Sequence, residues 1–320
     1  MTAPNAVARP AAAIAPRRPR GSGRDRFGAF VEGGLRLHAL LIYVFLFLPI
    51  LIVVVFSFNG TNRNVTEWQG LSLKWYERAL ADGSVQAALQ NSIVIGIANA
   101  ILATTFGTLA ALGLQRVAPR TRTVFDALTY VSVIVPEIVI ALASLILFSL
   151  FRDLANPILA ALQGDSAHPF RIGLGYWSII AAHVLFNTSL VLLLVRARLS
   201  GMDRTLVEGS YDLFATPWQT FRQITLPQLM PAVVAGFLLA FTFSFDDYVI
   251  TSFVSGPGSG TLPLYIYGQT KQGVTPLTNA IAAMMLVVTL TILLGGQYLL
   301  GRQTRRTSGK ASTAIGLVPE

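Results

Sequence analysis

Three acidic residues lie inside stretches of sequence that are otherwise almost free of charge. Glu137 lies in the apolar stretch 127–151, and Asp246 and Asp247 lie near the end of the stretch 230–253. A charged group at the centre of a bilayer costs roughly 2.5–3.5 kcal/mol, so such residues usually face a helix bundle's interior or a cavity. A carboxylate in that position can line a passage for a cation, or it can bond to a neighbouring helix or partner subunit. Both interpretations stay open for these three residues.

Residues suited to other chemistry are scarce. The chain has no cysteine, and its three histidines are far apart in sequence. Thiolate metal sites, iron–sulfur clusters and cysteine nucleophiles are therefore excluded. The nucleotide-binding pattern G-x-x-x-x-G-K-[ST] does not occur either. We expect no catalytic residue, metal site or cofactor in this chain, and scattered histidines with sparse acids disfavour a membrane-embedded enzyme such as a lipid transferase.

The composition is that of a membrane protein. Of the 320 residues, 53% are hydrophobic and 12% are charged, and the mean hydropathy is +0.60. Soluble domains carry about 25% charged residues. A helix needs roughly 20 mainly apolar residues to cross a bilayer, and six stretches satisfy this: 37–58, 91–114, 127–151, 175–195, 230–253 and 278–300. The sequence therefore predicts an all-α polytopic membrane protein with six transmembrane helices.

The distribution of basic residues predicts the orientation. With both termini in the cytoplasm, 18 of the 24 Lys and Arg residues lie inside and 6 outside, as the positive-inside rule requires. The net charge of +9 is thus a signal of topology, and we expect no nucleic-acid partner. We divide the chain into a disordered basic tail (1–35), a six-span domain (36–301) and a loose cytoplasmic tail (302–320).

The longest inner connection between spans, 196–229, carries its own helix signals. Asp203 can cap a short helix that ends near Leu213. A second helix, from 217 to about 224, is indicated by residues preferred at an N-cap, at the first helical position and in a capping box: Thr216, Pro217 and Gln219. The prolines that follow are expected to mark the start of span five. These signals predict a helix–turn–helix on the inner membrane face, the alternative being an interfacial amphipathic helix without a partner.

This connection resembles the EAA loop of permease subunits of ABC importers. The usual form is Glu-Ala-Ala, then Gly, then Ile-x-Leu-Pro, and the matching residues here are Glu208, Gly209, Ser210, Asp212, Leu213, Phe214, Ile224, Leu226 and Pro227. The resemblance covers about residues 37–300 and is closest to the second permease of spermidine/putrescine-type importers. Supporting segments are Phe56–Asn59, Leu71–Tyr76, Pro136-Glu137, Phe245–Asp247, Ser252–Gly258 and Thr261–Leu264.

The resemblance implies a function and a set of partners. The chain would form half of a pathway for polyamines, with Glu137, Asp246 and Asp247 along the substrate path and the EAA-like residues docked on an ATPase. The implied partners are a second permease subunit, two cytoplasmic ABC ATPase subunits, an extracytoplasmic binding protein and the lipid bilayer of the inner cell membrane. Importers of phosphonate, sulfate or ferric iron share this architecture, and an ATP-independent channel is a further alternative.

The loop departs from the family pattern at two places. Gly209-Ser210 replace the usual Ala-Ala, which lowers helix propensity by up to about 1 kcal/mol at the glycine. Phe214 stands where the family usually has glycine. If that position adopts a positive φ to end the first helix, a phenylalanine there is strained.

Polar and aromatic residues elsewhere have simpler interpretations. His183 and Asn187 lie one helical turn apart on one face of span four, and hydrogen bonds between helices are the favoured interpretation. Several aromatic residues flank the outer ends of the spans, and we interpret most as interface anchors, with contact to a binding protein or a cation as the alternative: Trp68, Trp75, Tyr76, Tyr265 and Tyr267.

Overall fold

A computed structural model describes residues 23–61, 67–164 and 171–315. Within these ranges the protein consists of helices and connecting segments, with no β-strand. The helices are α1 (Gly23–Ser57), α2 (Lys74–Ala81), α3 (Gly83–Gly113), α4 (Pro119–Ile134), α5 (Glu137–Gln163), α6 (Tyr176–Ser200), α7 (Thr205–Asp212), α8 (Pro217–Thr220), α9 (Leu226–Phe245), α10 (Val249–Val254), α11 (Leu262–Gln272) and α12 (Pro276–Ile315). A single π-turn, Phe221–Thr225, joins α8 to α9.

Six helices in the described ranges are long and apolar enough to cross a membrane. They are Phe30–Ser57, Gly83–Gly113, Glu137–Gln163, Tyr176–Ser200, Pro217–Phe245 and Pro276–Tyr298. This confirms the predicted number of spans and the all-α class. Most helices extend beyond the predicted stretches, because polar turns at their ends continue the helix without adding to its apolar signal.

The predicted third span, 127–151, is not one helix. It is divided between α4 and α5 by a break at Val135-Pro136, where Val135 is extended with ψ 131°. Proline has no backbone N–H and forces the preceding residue out of the helical region. Glu137 therefore begins α5, whereas the predicted span placed it inside a continuous helix.

The predicted fifth span, 230–253, was wrong at both ends. Its helix starts at Pro217, because the π-turn carries α8 into α9 without interruption. In the π-turn the Leu226 N–H donates to Phe221 O, five residues back, and this wider turn precedes Pro227, which has no N–H to donate. The second short helix therefore does not stop near 224. At the other end α9 stops at Phe245 and α10 begins separately.

The centre of the helix bundle is formed by α3, α6 and α9, which pack on one another through small residues. An added Cβ at Gly107 would lie 2.8 Å from Val191, and one at Gly96 would lie 3.0 Å from the Phe241 ring. The Asn99 side chain donates to Ala240 O at 2.8 Å across the same interface. Small residues and interhelical hydrogen bonds are the means by which membrane helices pack closely.

Both ends of the described chain are helical. Residues 23–35 belong to α1 and residues 302–315 to α12, where we had expected loose tails. The reason is continuity: each segment extends a long apolar helix, and helix propagation costs less than helix nucleation. The expectations for 1–22 and 316–320 lie outside the described residues. Among the described residues, 23–52 form a unit separate from the rest of the chain.

Candidate functional site

The break between α9 and α10 is organised by Asp247. Its carboxylate accepts hydrogen bonds from the Thr251 N–H at 2.8 Å, the Thr251 hydroxyl at 2.8 Å and the Ile250 N–H at 3.2 Å. His183 Nε2 lies 3.0 Å from the same carboxylate, and His183 Nδ1 lies 2.7 Å from the Ser244 hydroxyl. The Asp247 side chain is 3% exposed. Because it caps the first amides of α10 and meets His183, Asp247 holds α6, α9 and α10 together.

Asp246 and Glu137 are placed differently from Asp247. Both residues are exposed in this single chain. Asp246 accepts one hydrogen bond, from the Thr289 hydroxyl at 3.2 Å, and the Glu137 carboxyl group lies beside that of Asp247. The α9–α10 break and the start of α5 thus bring Glu137 beside Asp247, which is 110 positions away in sequence. The predicted fifth span placed Asp246 and Asp247 in one helix, and that was wrong because neither residue is in α9 or α10.

Polar residues of α6 fasten it to its neighbours. Asn187 Nδ2 donates to Asn99 Oδ1 at 3.3 Å, and His183 makes the contacts to Ser244 and Asp247 described above. The predicted interhelical role of His183 and Asn187 is confirmed. Sequence alone could show that these side chains share a helix face, but it could not show which residue on α9 or α10 each one meets.

The end of α10 and the segment after it are held tightly beside the break. The Ser178 hydroxyl donates to Val254 O at 2.7 Å, and the Asn91 amide donates to Gly258 O at 3.0 Å and Gly260 O at 2.9 Å. Gly256 passes so close to Leu174 that an added Cβ would lie 1.8 Å from its carbonyl oxygen. These contacts give α10 and the acids before it a rigid support.

The connection between α6 and α9 forms the second candidate site, which we call the elbow (residues 203–227). The Asp203 carboxylate accepts from the Thr205 N–H at 2.9 Å and from the Thr205 hydroxyl at 2.8 Å, and these bonds lower the pKa of Asp203. Thr216 caps α8, with the Gln219 side chain accepting from the Thr216 N–H at 2.8 Å. The predicted capping box is therefore confirmed.

The two arms of the elbow are joined by a buried hydroxyl pair and a strained turn. The Ser210 hydroxyl, in α7, lies 2.9 Å from that of Thr220 in α8. Phe214, in the turn, has φ +58°, the one positive φ among the described residues other than glycine. The Phe214 side chain is 95% exposed, and Leu213 beside it is 83% exposed. The expected conflict at this departure from the family pattern is therefore present.

The other motif residues of the elbow fall into two groups, exposed and partly buried. Glu208 is exposed in the first turn of α7. Ile224 and Leu226 are partly buried where the π-turn meets α9, and Pro227 is exposed there. Glu208, Leu213 and Phe214 are therefore available to a partner, whereas Ile224 and Leu226 contribute to joining the elbow to α9.

An ion pair near the elbow was missed by the sequence analysis. The Arg196 guanidinium donates two hydrogen bonds to the Asp126 carboxylate, which ties α4 to the end of α6. Arg122 lies 4.0 Å from the same carboxylate. The hydrogen bond and charge of Arg196 lower the pKa of Asp126. The one signal in the sequence is an isolated acid among arginines, which does not identify its partner.

The chain belongs to a family of membrane transport components. Residues 103–308 match the family model described as "Binding-protein-dependent transport system inner membrane component". With its six apolar helices, the chain is thus a multi-pass inner-membrane permease subunit of an ABC transporter.

Individual relatives agree with this family. The chain is 35% identical over 282 residues to the spermidine/putrescine transport system permease protein PotC of Escherichia coli (strain K12), with 88% of this chain and 98% of the relative covered. It is 36% identical over 268 residues to the putrescine transport system permease protein PotI of the same organism, covering 83% and 90%. Among solved structures, a chain of a bacterial ABC transporter that imports the acidic polysaccharide alginate has a TM-score of 0.70 at 16% identity, covering 87% and 98%, and this likeness concerns the fold.

Proposed function

We propose that this chain forms one half of an import pathway for polyamines such as spermidine and putrescine. The proposal is supported by the functions of relatives that align with most of the chain. A second permease subunit would complete the pathway, an extracytoplasmic binding protein would deliver the substrate, and two cytoplasmic ATPase subunits would hydrolyse ATP. Both termini would lie in the cytoplasm, as the distribution of basic residues predicts.

The observation that carries the proposal is the exposed acidic surface at the α9–α10 break. Asp246 and Glu137 present carboxyl groups on the surface of the single chain, while Asp247 is buried and holds the break in place. Carboxylates in a low-dielectric passage attract alkylammonium groups and repel anions. The site therefore favours a polyamine over sulfate or phosphonate. Asp246 and Glu137 would contact the substrate, and Asp247 would position them.

The elbow would transmit the motion of the ATPase to the helices. Its exposed residues, Glu208, Leu213 and Phe214, would dock on the ATPase. Its second arm is capped by Thr216, and the two arms are joined through Ser210 and Thr220. The second arm continues without interruption into α9, which ends at Phe245, next to Asp246. A displacement of the elbow would therefore reach the acidic surface along one helix. A substrate shifts such a transporter between states by its difference in affinity for them.

The test is ATPase stimulation in the reconstituted complex with its binding protein. We expect spermidine or putrescine to stimulate hydrolysis and sulfate to have no effect. Glu208→Ala should reduce the stimulation without preventing membrane insertion, while Glu77→Ala, at an exposed acid in α2, should not. Stimulation by an anion and not by polyamines would overturn the substrate assignment, and unchanged stimulation in Glu208→Ala would overturn the role of the elbow.

A further inference from the structure

Two tyrosines from different segments form a close, tilted ring pair near the acidic break. The rings of Tyr248, just before α10, and Tyr267, in α11, have centroids 4.2 Å apart and planes inclined by 36°. Their hydroxyl groups also interact with each other. Tyr248 is two residues after Asp246, and because consecutive Cα atoms are about 3.8 Å apart, the two Cα atoms lie within about 8 Å.

The face of this tyrosine pair already carries an ammonium group. Lys271, one helical turn beyond Tyr267, holds its Nζ 4.8 Å from the Tyr267 ring centroid. Tyr267 is 42% exposed and Lys271 is exposed, so an ammonium from solution can reach the same place. A cation over an aromatic face within about 6 Å is attracted by the ring quadrupole.

A second group of cation–π contacts in the described residues, around Trp75, is not accessible to a cation from solution. Lys74 and Arg78 lie 5.1 Å and 5.7 Å from the Trp75 ring centroid. Trp75 is buried, its indole N–H donates to Asn59 O at 3.0 Å, and Lys74 donates to Gly60 O. Those cations support a folded segment, whereas the ammonium of Lys271 rests on an exposed ring.

We propose that the Tyr248–Tyr267 pair is an alkylammonium-binding site at the outer end of the pathway, and that Lys271 occupies it until a substrate amine displaces it. The inference rests on the proposed polyamine function. One amine of a polyamine would bind the tyrosine pair while another reaches Asp246. Lys271 would thereby set the apparent affinity for the substrate. When an internal group competes for a site, the apparent Kd of the ligand equals the intrinsic Kd divided by the fraction of time that the site is free.

The test is equilibrium binding of radiolabelled spermidine to the assembled permease–ATPase complex in nanodiscs, without the binding protein. We expect Tyr267→Leu to weaken binding about threefold to thirtyfold, and Tyr267→Phe, which keeps the ring face, to remain within about twofold. Lys271→Gln should strengthen binding about twofold to fivefold, and Lys271→Arg, which keeps a competing cation, should leave it close to wild type.

The double variant Tyr267→Leu with Lys271→Gln separates competition from general electrostatics. If Lys271 acts by occupying the ring, its removal should give no gain once the ring is absent. Unchanged or weaker binding in Lys271→Gln, or an equal gain with and without Tyr267, overturns the inference. A wild-type complete system that polyamines do not stimulate would refute the proposed function instead, so the two failures are distinguishable.

Discussion

The turn of the elbow allows the free-energy cost of a positive φ at Phe214 to be measured. Phe214 has φ +58°, a conformation that costs an L-residue about 1–2 kcal/mol and that glycine adopts readily. The turn is closed by the Ala215 N–H, which donates to Ser210 O at 3.0 Å. Because the Phe214 ring is 95% exposed, the single chain loses little packing when the ring is removed. Phe214→Gly should therefore stabilise the closed turn by about 1–2 kcal/mol.

Hydrogen exchange of the Ala215 amide, followed by mass spectrometry on the single chain in detergent, measures this stabilisation. A change of 1–2 kcal/mol corresponds to about 5-fold to 30-fold slower exchange. Phe214→Ala is the matched control, because it removes the ring and retains an L-residue at positive φ. If the Ala215 amide exchanges at the same rate in the glycine and alanine variants, the inferred backbone strain at Phe214 is refuted.

The same two variants report on docking when the ATPase is added. If the ATPase buries the Phe214 ring, both variants lose roughly 1.5–3 kcal/mol of apolar burial, which is about 10-fold to 150-fold in affinity. We expect the Phe214→Gly variant to have a more stable elbow and a lower affinity for the ATPase. Undiminished binding of the ATPase by both variants would show that the ring lies outside the interface.

Further predictions concern the acids, the packing and the pH dependence. Asp247→Asn should lower the thermal midpoint of the detergent-solubilised chain, at a cost of about 1–3 kcal/mol for disrupting buried hydrogen bonds, whereas Asp246→Asn should leave the midpoint close to wild type and weaken spermidine binding. Gly107→Ala should destabilise the chain by about 1–3 kcal/mol through overpacking, and Gly113→Ala, where an added Cβ meets nothing within 4 Å, should not. The pKa of Asp126 is lower in the folded chain than in the unfolded chain. Its contribution to the stability of the fold is therefore fully present above the unfolded pKa and is lost as the pH falls through the folded pKa. As the pH is lowered, the thermal midpoint should therefore decrease less steeply in Asp126→Asn than in the wild type.

The features predicted correctly from sequence depend on neighbouring residues. The six spans follow from apolar stretches of sufficient length, and the Thr216 cap follows from three residue types at adjacent positions. The strain at Phe214 followed from comparison with a family pattern in which glycine holds that position. In each case the determining interaction lies within a few residues of the chain.

The features that were missed depend on distant partners or on breaks within apolar stretches. Pro136 lies inside the stretch predicted as span three, yet whether such a proline kinks a membrane helix or ends it depends on what its neighbours supply. The break after Phe245 requires Asp247 to cap α10 and to meet His183, 64 positions away. Periodicity contains no information about such a pairing, so both acids were assigned to one continuous helix.

The central claim is that this chain is a passage whose movement is driven through the elbow by a separate ATPase. Uptake of radiolabelled spermidine into proteoliposomes, with the two permease subunits and the binding protein and with or without the ATPase, tests it most directly. We predict uptake when the ATPase and ATP are both present, and none when either is omitted. Spermidine accumulation at the same rate without the ATPase would contradict the account.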